Sequence, residues 1–104
     1  MLGRAAQAMA DYVFSAAAES DVRAIFHFSA ENFGERQTDI YMDGLSRTLR
    51  NLAETPRIGR AADDLKPGLF RFRYQSHMIF YTIEPGRIVI RRILHARMDF
   101  GSHL

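Results

Sequence analysis

Six side chains in the last third of the 104-residue chain could take part in binding or proton transfer. These candidate binding residues are Arg71, Arg73, His77, His95, Arg97 and Asp99. Guanidinium groups bind carboxylate or phosphate through two parallel hydrogen bonds, and histidine exchanges a proton near neutral pH. The residue types therefore predict a surface for an acidic partner, with acid–base chemistry as a second option.

The charge of the chain is divided unevenly, although the formal net charge is only +2. Residues 1–55 contain five arginines and eight acidic residues, whereas residues 56–104 contain eight arginines, Lys66 and four acidic residues. Arginine suits planar, two-point contact with phosphate or carboxylate better than lysine does. We therefore expect the basic half to bind nucleic acid, an acidic partner protein, or both.

Several kinds of site are absent from the sequence. With no cysteine, the chain has no disulfide, no thiolate metal site and no catalytic thiol. Its four histidines have no ligand-like spacing, and no glycine-rich phosphate loop or triad pattern occurs, so we expect no metal and no cofactor. No apolar run is long enough to span a membrane and no signal-peptide pattern is visible, which favours a soluble cytoplasmic protein.

Three predicted strands carry most of the candidate binding residues. They are residues 69–75, 77–84 and 87–94. In the first strand, Phe70, Phe72 and Tyr74 alternate with arginines. This pattern predicts one apolar face and one arginine face. Short turns join the strands, one of them a Glu-Pro-Gly-Arg sequence, so we expect a three-stranded antiparallel meander.

A short strand, residues 11–15, and a helix are predicted before the meander. Ser15 is placed to cap the N-terminus of a helix that runs from residue 16 to residue 33. The apolar side chains assigned by helical spacing to the sheet-packing face are Val22, Ile25, Phe26 and Phe33. Gly34 is expected to end this helix in the left-handed conformation.

A second helix is predicted from about Glu35 to Ala53, and it ends before Pro56 because the residue before a proline avoids the α region. Its apolar positions recur at steps of three and four, at Tyr41, Leu45, Leu49 and Leu52. Gly44 lies mid-helix, where we expect it to permit close packing against the first helix. Because only Gly34 separates the two helices, they are predicted to form an antiparallel hairpin.

The order of elements predicts one α+β domain: a short N-terminal strand, an antiparallel helical hairpin on one sheet face, then the three-stranded antiparallel meander. Residues 11–104 form this domain, and residues 1–10 are an N-terminal extension. The proline- and glycine-rich connector between hairpin and meander is expected to be a loop that Ile58 and Leu65 pin to the core.

The order of several short motifs resembles the ParE-type toxins of bacterial toxin–antitoxin systems. The matching strings are Ser29–Glu35 and Ile40–Leu45 in the hairpin, Thr55–Arg60 and Leu65–Gly68 in the connector, and Ser76–His77, Phe80–Tyr81 and Leu94–Asp99 in the strands and tail. The resemblance extends from Tyr12 to Leu104. It implies the RelE/ParE superfamily fold, in agreement with the predicted element order.

The resemblance also implies a toxin that acts on DNA gyrase and is neutralised by a cognate antitoxin. We expect the antitoxin to be acidic or amphipathic and to lie across the arginine surface and the groove beside the hairpin. Contacts with target or antitoxin would come from Arg71, Arg73, His77, His95, Arg97 and Asp99. Sequence-specific nucleic-acid binding is not implied.

Related toxins with the same fold cut mRNA on the ribosome, which gives an alternative function. Those nucleases resemble one another in a C-terminal tyrosine or histidine that follows an arginine. Here Arg97 is followed by Met98 and Asp99, an acid where a phosphate-binding group is expected, and the nearest histidine is His103. We therefore expect a binding protein rather than an enzyme.

The candidate residues also have structural interpretations. His77 could hydrogen-bond the neighbouring turn. His95, Arg97 and Asp99 alternate along an expected extended tail, where they could anchor it to the sheet as a charge-assisted network. The arginine face could be an ordinary solvated surface. These interpretations and partner contact remain alternatives.

Overall fold

The computed structural model describes residues 11–104, which form a sheet, one long helical span and two short 3₁₀ turns. The strands and helix are β1 (Asp11–Phe14), α1 (Ala16–Glu54), β2 (Arg60–Ala61), β3 (Leu69–Tyr74), β4 (His77–Glu84) and β5 (Arg87–His95). The 3₁₀ turns are Pro56–Ile58 and Phe100–Ser102. The predicted α+β class is confirmed, whereas the predicted extension at residues 1–10 lies outside the described residues.

The sheet has five strands in the order β1-β5-β4-β3-β2. β3, β4 and β5 form the predicted antiparallel meander, and each begins and ends within one residue of its predicted bounds. β1 pairs in parallel with β5, which makes the sheet mixed, and β2 adds an edge strand beside β3. The predicted count of four strands is wrong, because a two-residue strand has no alternation that a sequence can reveal.

Ser15 joins the end of β1 to the start of α1. Its hydroxyl accepts a hydrogen bond from the backbone N–H of Ala18 at 3.1 Å, which confirms the predicted helix cap. The same residue is tied to β5, because its N–H donates to the carbonyl of Ile90 and its hydroxyl donates to the carbonyl of Arg91. The cap therefore positions the helix directly beside the last strand.

α1 is sharply broken at Gly34, which has a φ of 85° and a ψ of 172°. The Thr38 hydroxyl lies 3.0 Å from the Ser29 hydroxyl, although nine residues of straight helix would span about 13.5 Å. The first arm, residues 16–33, is therefore folded against the second arm, residues 35–54. The predicted hairpin is present as one helical span whose arms meet at Gly34 without a connecting loop.

Two hydrophobic clusters cover the two faces of the sheet. The helix-side core packs α1 on one face, and its buried members include Leu45, Leu49, Leu52, Ile79, Tyr81 and Ile90. The tail-side core lies on the opposite face and contains Ala62, Leu69, Phe80 and Leu94, with Phe100 and Leu104 packed against it. The rings of Phe80 and Phe100 meet edge to face, 4.9 Å apart. The predicted extended tail is therefore wrong, because the chain after β5 folds back to bury its apolar side chains.

Some side chains assigned to the core have other surroundings. Phe26, Phe33 and Ile58 have exposed fractions of 44%, 63% and 47%. One helix face buries only a limited stripe, so the first arm leaves its remaining aromatic side chains uncovered. Gly44 packs against Tyr74 of β3 instead of the first arm, since a Cβ at this position would collide with the Tyr74 hydroxyl.

Candidate functional site

The predicted binding residues lie on two different sides of the molecule. His77 and His95 are directly opposite each other in β4 and β5, and both line a groove beside α1. Arg71 and Arg73 alternate with the side chains of β3 that pack in the helix-side core, so they project from the other face. The six candidate binding residues therefore do not share one surface, and their role in binding stays a prediction.

The groove lies between the first arm of α1 and β5, and it has a volume of about 870 Å³. Side chains that give it its apolar surface include Ile25, Phe28, Phe33, Tyr41, Leu94 and Met98. Phe28 and Phe33 are 61% and 63% exposed, and their rings are 6.3 Å apart in an edge-to-face arrangement. Large, adjacent and exposed aromatic side chains are typical of a surface that binds another molecule.

One edge of β5 is open along the groove. β1 pairs with β5 only as far as Ile90, so within the described chain no strand continues the sheet beside residues 91–95. Asp21 takes over part of the missing pairing, because its carboxylate accepts the backbone N–H of Ile93 at 2.9 Å. The groove thus combines an apolar wall with a partly unpaired strand edge.

Asp21 also forms a two-point ion pair with Arg92. Nε and an Nη atom of Arg92 donate to the two carboxylate oxygens at 2.7 and 2.8 Å. The hydrogen bond to Asp21 raises the pKa of Arg92 and outweighs the effect of burial. A further Nη of Arg92 donates to the backbone carbonyl of His103 at 2.8 Å. This pair therefore connects α1, β5 and the tail at one end of the groove.

The side chain of His77 is hydrogen-bonded to the second arm of α1. Its structural interpretation had placed this hydrogen bond in the neighbouring turn. The Tyr41 hydroxyl and the His77 Nδ1 are 2.6 Å apart, and the rings of His77 and His95 are separated by 5.6 Å. Burial lowers the pKa of His77, and the nearby His95 lowers it further, against an opposing effect of Asp21. Nδ1 of a neutral His77 can accept a hydrogen bond from the Tyr41 hydroxyl.

The residues after β5 form a turn in which the predicted network is absent. The backbone N–H of Arg97 donates to Nδ1 of His95 at 3.2 Å, whereas the Asp99 carboxylate accepts from the Ser102 hydroxyl at 2.8 Å. Within residues 11–104, no ion pair joins Arg97 to Asp99. Of the two alternatives for these residues, the charge-assisted network is therefore not formed, and Asp99 stabilises the last 3₁₀ turn.

The arginine face of the sheet carries unneutralised charge. Arg60 in β2 lies directly opposite Arg71 in β3, and Arg73 follows on the same face. Arg73 donates from Nε to the carbonyl of Gln75 at 2.7 Å. In the part of the chain that the structure describes, none of the three has a carboxylate within 4.0 Å. The ion pairs there involve other arginines.

Sequence reasoning missed the apolar groove and its ion pair. The sequence patterns gave no binding role to Phe28 or Met98, and they placed Phe33 in the core. They also gave no sign that Asp21 and Arg92 form an ion pair. One signal was available: the hairpin carries more large apolar residues than one helix face can bury, including Phe26, Phe28, Phe33 and Ile40. A surplus of this kind indicates a second apolar surface.

Residues 11–104 contain neither a candidate metal site nor a candidate membrane-spanning helix. No group of three or more histidine and acidic side chains is arranged to hold a metal ion there. No helix in the same range is both long enough and apolar enough to cross a membrane.

Comparisons with known proteins assign a family. The family model of the ParE toxin of the parDE type II toxin–antitoxin system matches residues 12–100. Toxin ParE1 of Mycobacterium tuberculosis is 34% identical over 94 residues, which cover 89% of this chain and 96% of that protein. Toxin ParE1 of Caulobacter vibrioides is 32% identical over 96 residues, which cover 92% of this chain and 99% of that protein.

The fold agrees with this assignment. A chain from the chromosomal ParDE toxin–antitoxin system of Pseudomonas aeruginosa superposes with a TM-score of 0.72 at 15% identity, and the match covers 86% of this chain and 99% of that chain. The resemblance inferred from short motifs is confirmed. The chain belongs to the ParE toxin family of type II toxin–antitoxin systems.

Proposed function

We propose that this chain inhibits DNA gyrase in the bacterial cytoplasm by binding it, and that a cognate antitoxin neutralises it by occupying the groove beside α1. Family membership supports the toxin role. The observation that carries the antitoxin site is the exposed aromatic pair Phe28 and Phe33 beside the open edge of β5. An exposed apolar surface of this kind is costly in water unless a partner covers it.

The groove suits an amphipathic segment. Its apolar wall offers Phe28, Phe33 and Met98 to the apolar side of such a segment. The Nε2 atoms of His77 and His95, whose Nδ1 atoms are already hydrogen-bonded, can form hydrogen bonds with polar side chains on the partner. The open strand edge provides backbone groups for hydrogen bonds to an extended stretch of the same partner.

The target contact is proposed for the arginine face, with Arg71 and Arg73 at its centre. Binding, not bond cleavage, is favoured by the placement of the titratable groups. A ribonuclease needs a base, an acid and phosphate-binding groups around one phosphate. Here the pair His77 and His95 lies on the groove side of the sheet, whereas Arg71 and Arg73 project from the opposite face. Arg92 also lines the groove, but its guanidinium group is engaged by Asp21.

Two parallel assays test the proposed function. Purified chain is added to DNA gyrase with relaxed plasmid and, separately, to a translation extract with a reporter mRNA. Loss of supercoiling or accumulation of cleaved gyrase–DNA complex is expected in the first assay, with intact mRNA in the second. Cleaved mRNA with unaffected supercoiling would instead assign the ribonuclease function.

Adding the antitoxin encoded with this toxin tests the second half of the proposal. The antitoxin should restore supercoiling when one antitoxin binding segment is present for each toxin chain. A fluorescent probe attached beside Phe28 reports whether the groove is covered. If the antitoxin restores supercoiling while this probe remains accessible to solvent, the groove is excluded as the antitoxin site.

A further inference from the structure

We propose that Arg60, Arg71 and Arg73, here called the arginine cluster, bind the phosphate backbone of duplex DNA directly. The inference deepens the proposed function, on which its biological meaning rests, because gyrase acts on duplex DNA. The contact itself is a property of this chain alone and is measured without gyrase.

The geometry of the cluster is set by strand pairing. Arg60 and Arg71 are directly opposite partners in β2 and β3, and such partners have Cα atoms about 5 Å apart. Arg71 and Arg73 lie two residues apart on one strand face, a separation of about 7 Å. Three guanidinium groups are therefore presented together on one face of the sheet edge.

The cluster is electrostatically unfavourable without an anion. Like charges directly opposite each other in an antiparallel pair destabilise the pairing. Within residues 11–104, no carboxylate lies within 4.0 Å of any of the three side chains. By contrast, Arg87 and Arg91 share Glu84, and Arg92 is paired with Asp21. The cluster is thus a concentration of charge that an external anion would relieve.

Phosphate is favoured over a protein carboxylate by what surrounds the cluster. Protein interfaces rely on a few buried aromatic or aliphatic anchors, but most of the strongly exposed large apolar side chains lie on α1 or in the groove. Among the exposed large apolar side chains of residues 11–104, only that of Ile58 is close to β2 in sequence. Phosphate backbones need charge and two-point hydrogen bonding rather than apolar anchors, and guanidinium groups provide both.

A duplex is favoured over a single strand by the direction of the aromatic side chains. Single-stranded nucleic acids stack their bases on exposed aromatic rings. The aromatic residues of β3, which are Phe70, Phe72 and Tyr74, pack in the helix-side core instead. Arg57 lies over the Phe70 ring, 5.8 Å from its centroid, and therefore belongs to the helical side of the sheet. The arginine face thus offers charge without a stacking platform.

The salt dependence follows from the number of arginines. Three phosphate contacts predict a slope of about −2.7 for the logarithm of the binding constant against the logarithm of salt concentration. Affinity should therefore fall roughly 100-fold between about 25 mM and about 150 mM KCl. Backbone contacts carry no base information, so two duplexes of unrelated sequence should bind equally.

Fluorescence anisotropy with labelled duplexes of roughly 20 base pairs tests the contact in the intact chain. The variant Arg60→Gln/Arg71→Gln/Arg73→Gln should bind at least about tenfold more weakly at low salt, with a slope close to zero. The matched control removes three exposed arginines of α1, as Arg23→Gln/Arg36→Gln/Arg50→Gln. It should keep the wild-type slope.

Several outcomes would overturn the inference. These are no duplex binding at low salt, equal slopes for the cluster variant and the wild type, or tighter cluster-dependent binding of a polyglutamate peptide than of the duplex. If the triple variant fails to fold, Arg60→Gln/Arg73→Gln changes only exposed side chains and should make the slope less negative by about 1.8. Gyrase inhibition without DNA binding would remove this inference alone, whereas DNA binding without inhibition would remove the proposed function alone.

Discussion

Asp21 and Arg92 form a two-point ion pair, with hydrogen bonds of 2.7 and 2.8 Å, at the position where β5 loses its parallel partner β1. The same carboxylate accepts the N–H of Ile93, so one side chain satisfies both a guanidinium and a strand edge. The pair holds the first arm of α1 beside β5 and thereby sets one wall of the groove. Both the stability of the fold and the shape of the groove therefore depend on this ion pair.

Replacement of this carboxylate should destabilise the fold. Asp21→Ala leaves both Arg92 and the Ile93 N–H without their partner, and we expect a loss of about 2–3 kcal/mol in the free energy of unfolding. Urea denaturation measures it. The control is Glu84→Ala, which removes the partly exposed partner of Arg87 and Arg91 and should cost less than about 1 kcal/mol. Equal losses in the two variants would contradict the prediction.

Gly44→Ala should destabilise the protein although alanine is the better helix former. In an exposed helix this change stabilises by about 1 kcal/mol, but here the added Cβ would collide with the Tyr74 hydroxyl. We expect a net loss of about 1–2 kcal/mol because the side chain must move in a packed core. In a double-mutant cycle, Tyr74→Phe should relieve part of this loss. Strict additivity of the two substitutions would show that the contact has no effect.

Acidification should weaken the fold through His77. Its pKa is lowered, so the unfolded chain binds a proton more readily than the folded chain. The stability contributed by neutral His77 is therefore complete above 6.5, the usual pKa, and is lost as the pH falls toward the folded value. Urea midpoints at about pH 8 and about pH 5.5 measure this loss.

The variant His77→Gln tests the assignment of that pH dependence. It should show a smaller drop in urea midpoint than the wild type, whereas His27→Gln, an exposed change on α1, should match the wild type. A nuclear magnetic resonance titration that places the pKa of His77 at or above 6.5 would contradict the direction stated here.

Phe28→Glu should disrupt antitoxin binding without unfolding the toxin. The side chain is 61% exposed and lines the groove, so the free energy of unfolding should change by less than about 0.5 kcal/mol. A charge in the apolar wall should weaken antitoxin binding by at least about 100-fold, measured by calorimetry. Phe26→Glu is the matched control, since Phe26 is also exposed on α1 but does not line the groove. Equal weakening by both variants would place the antitoxin elsewhere.

Arg71→Glu combined with Arg73→Glu should strongly weaken gyrase inhibition. Two reversed charges on the arginine face should repel an acidic target surface or DNA and cost at least about tenfold in the inhibitory concentration. Supercoiling assays measure this concentration. The control reverses Arg36 and Arg50, which are exposed on α1. Full inhibition by the Arg71→Glu/Arg73→Glu protein would remove the arginine face from target binding.

Local signals were sufficient for most of the secondary structure. The alternation in residues 69–75 predicted β3, the hydroxyl of Ser15 predicted a helix cap, and Gly34 predicted the break in α1. These features depend on neighbours within a few residues, so the sequence contains the information directly. By contrast, the two-residue strand β2 exists only because β3 provides its partner.

The candidate site was only partly predictable, because its arrangement depends on contacts between residues that are far apart in sequence. Residue type identified Arg71, Arg73, His77 and His95 as polar groups able to bind, but residue type does not state which of them share a face. Sheet register separated the two arginines from the two histidines, and packing of the tail gave Asp99 a structural partner in Ser102. Contacts between residues far apart in sequence decided both outcomes.

The sequence by itself determined the class of fold, the family resemblance and the excess of arginine in residues 56–104. Composition, periodicity and turn residues can be read from the sequence without knowledge of the packed structure. Only the tertiary structure decided that Phe28 and Phe33 remain exposed and that Asp21 reaches Arg92 across 71 positions of the chain. Burial and ion pairing depend on which surfaces meet, and that depends on the packing of α1 against β5.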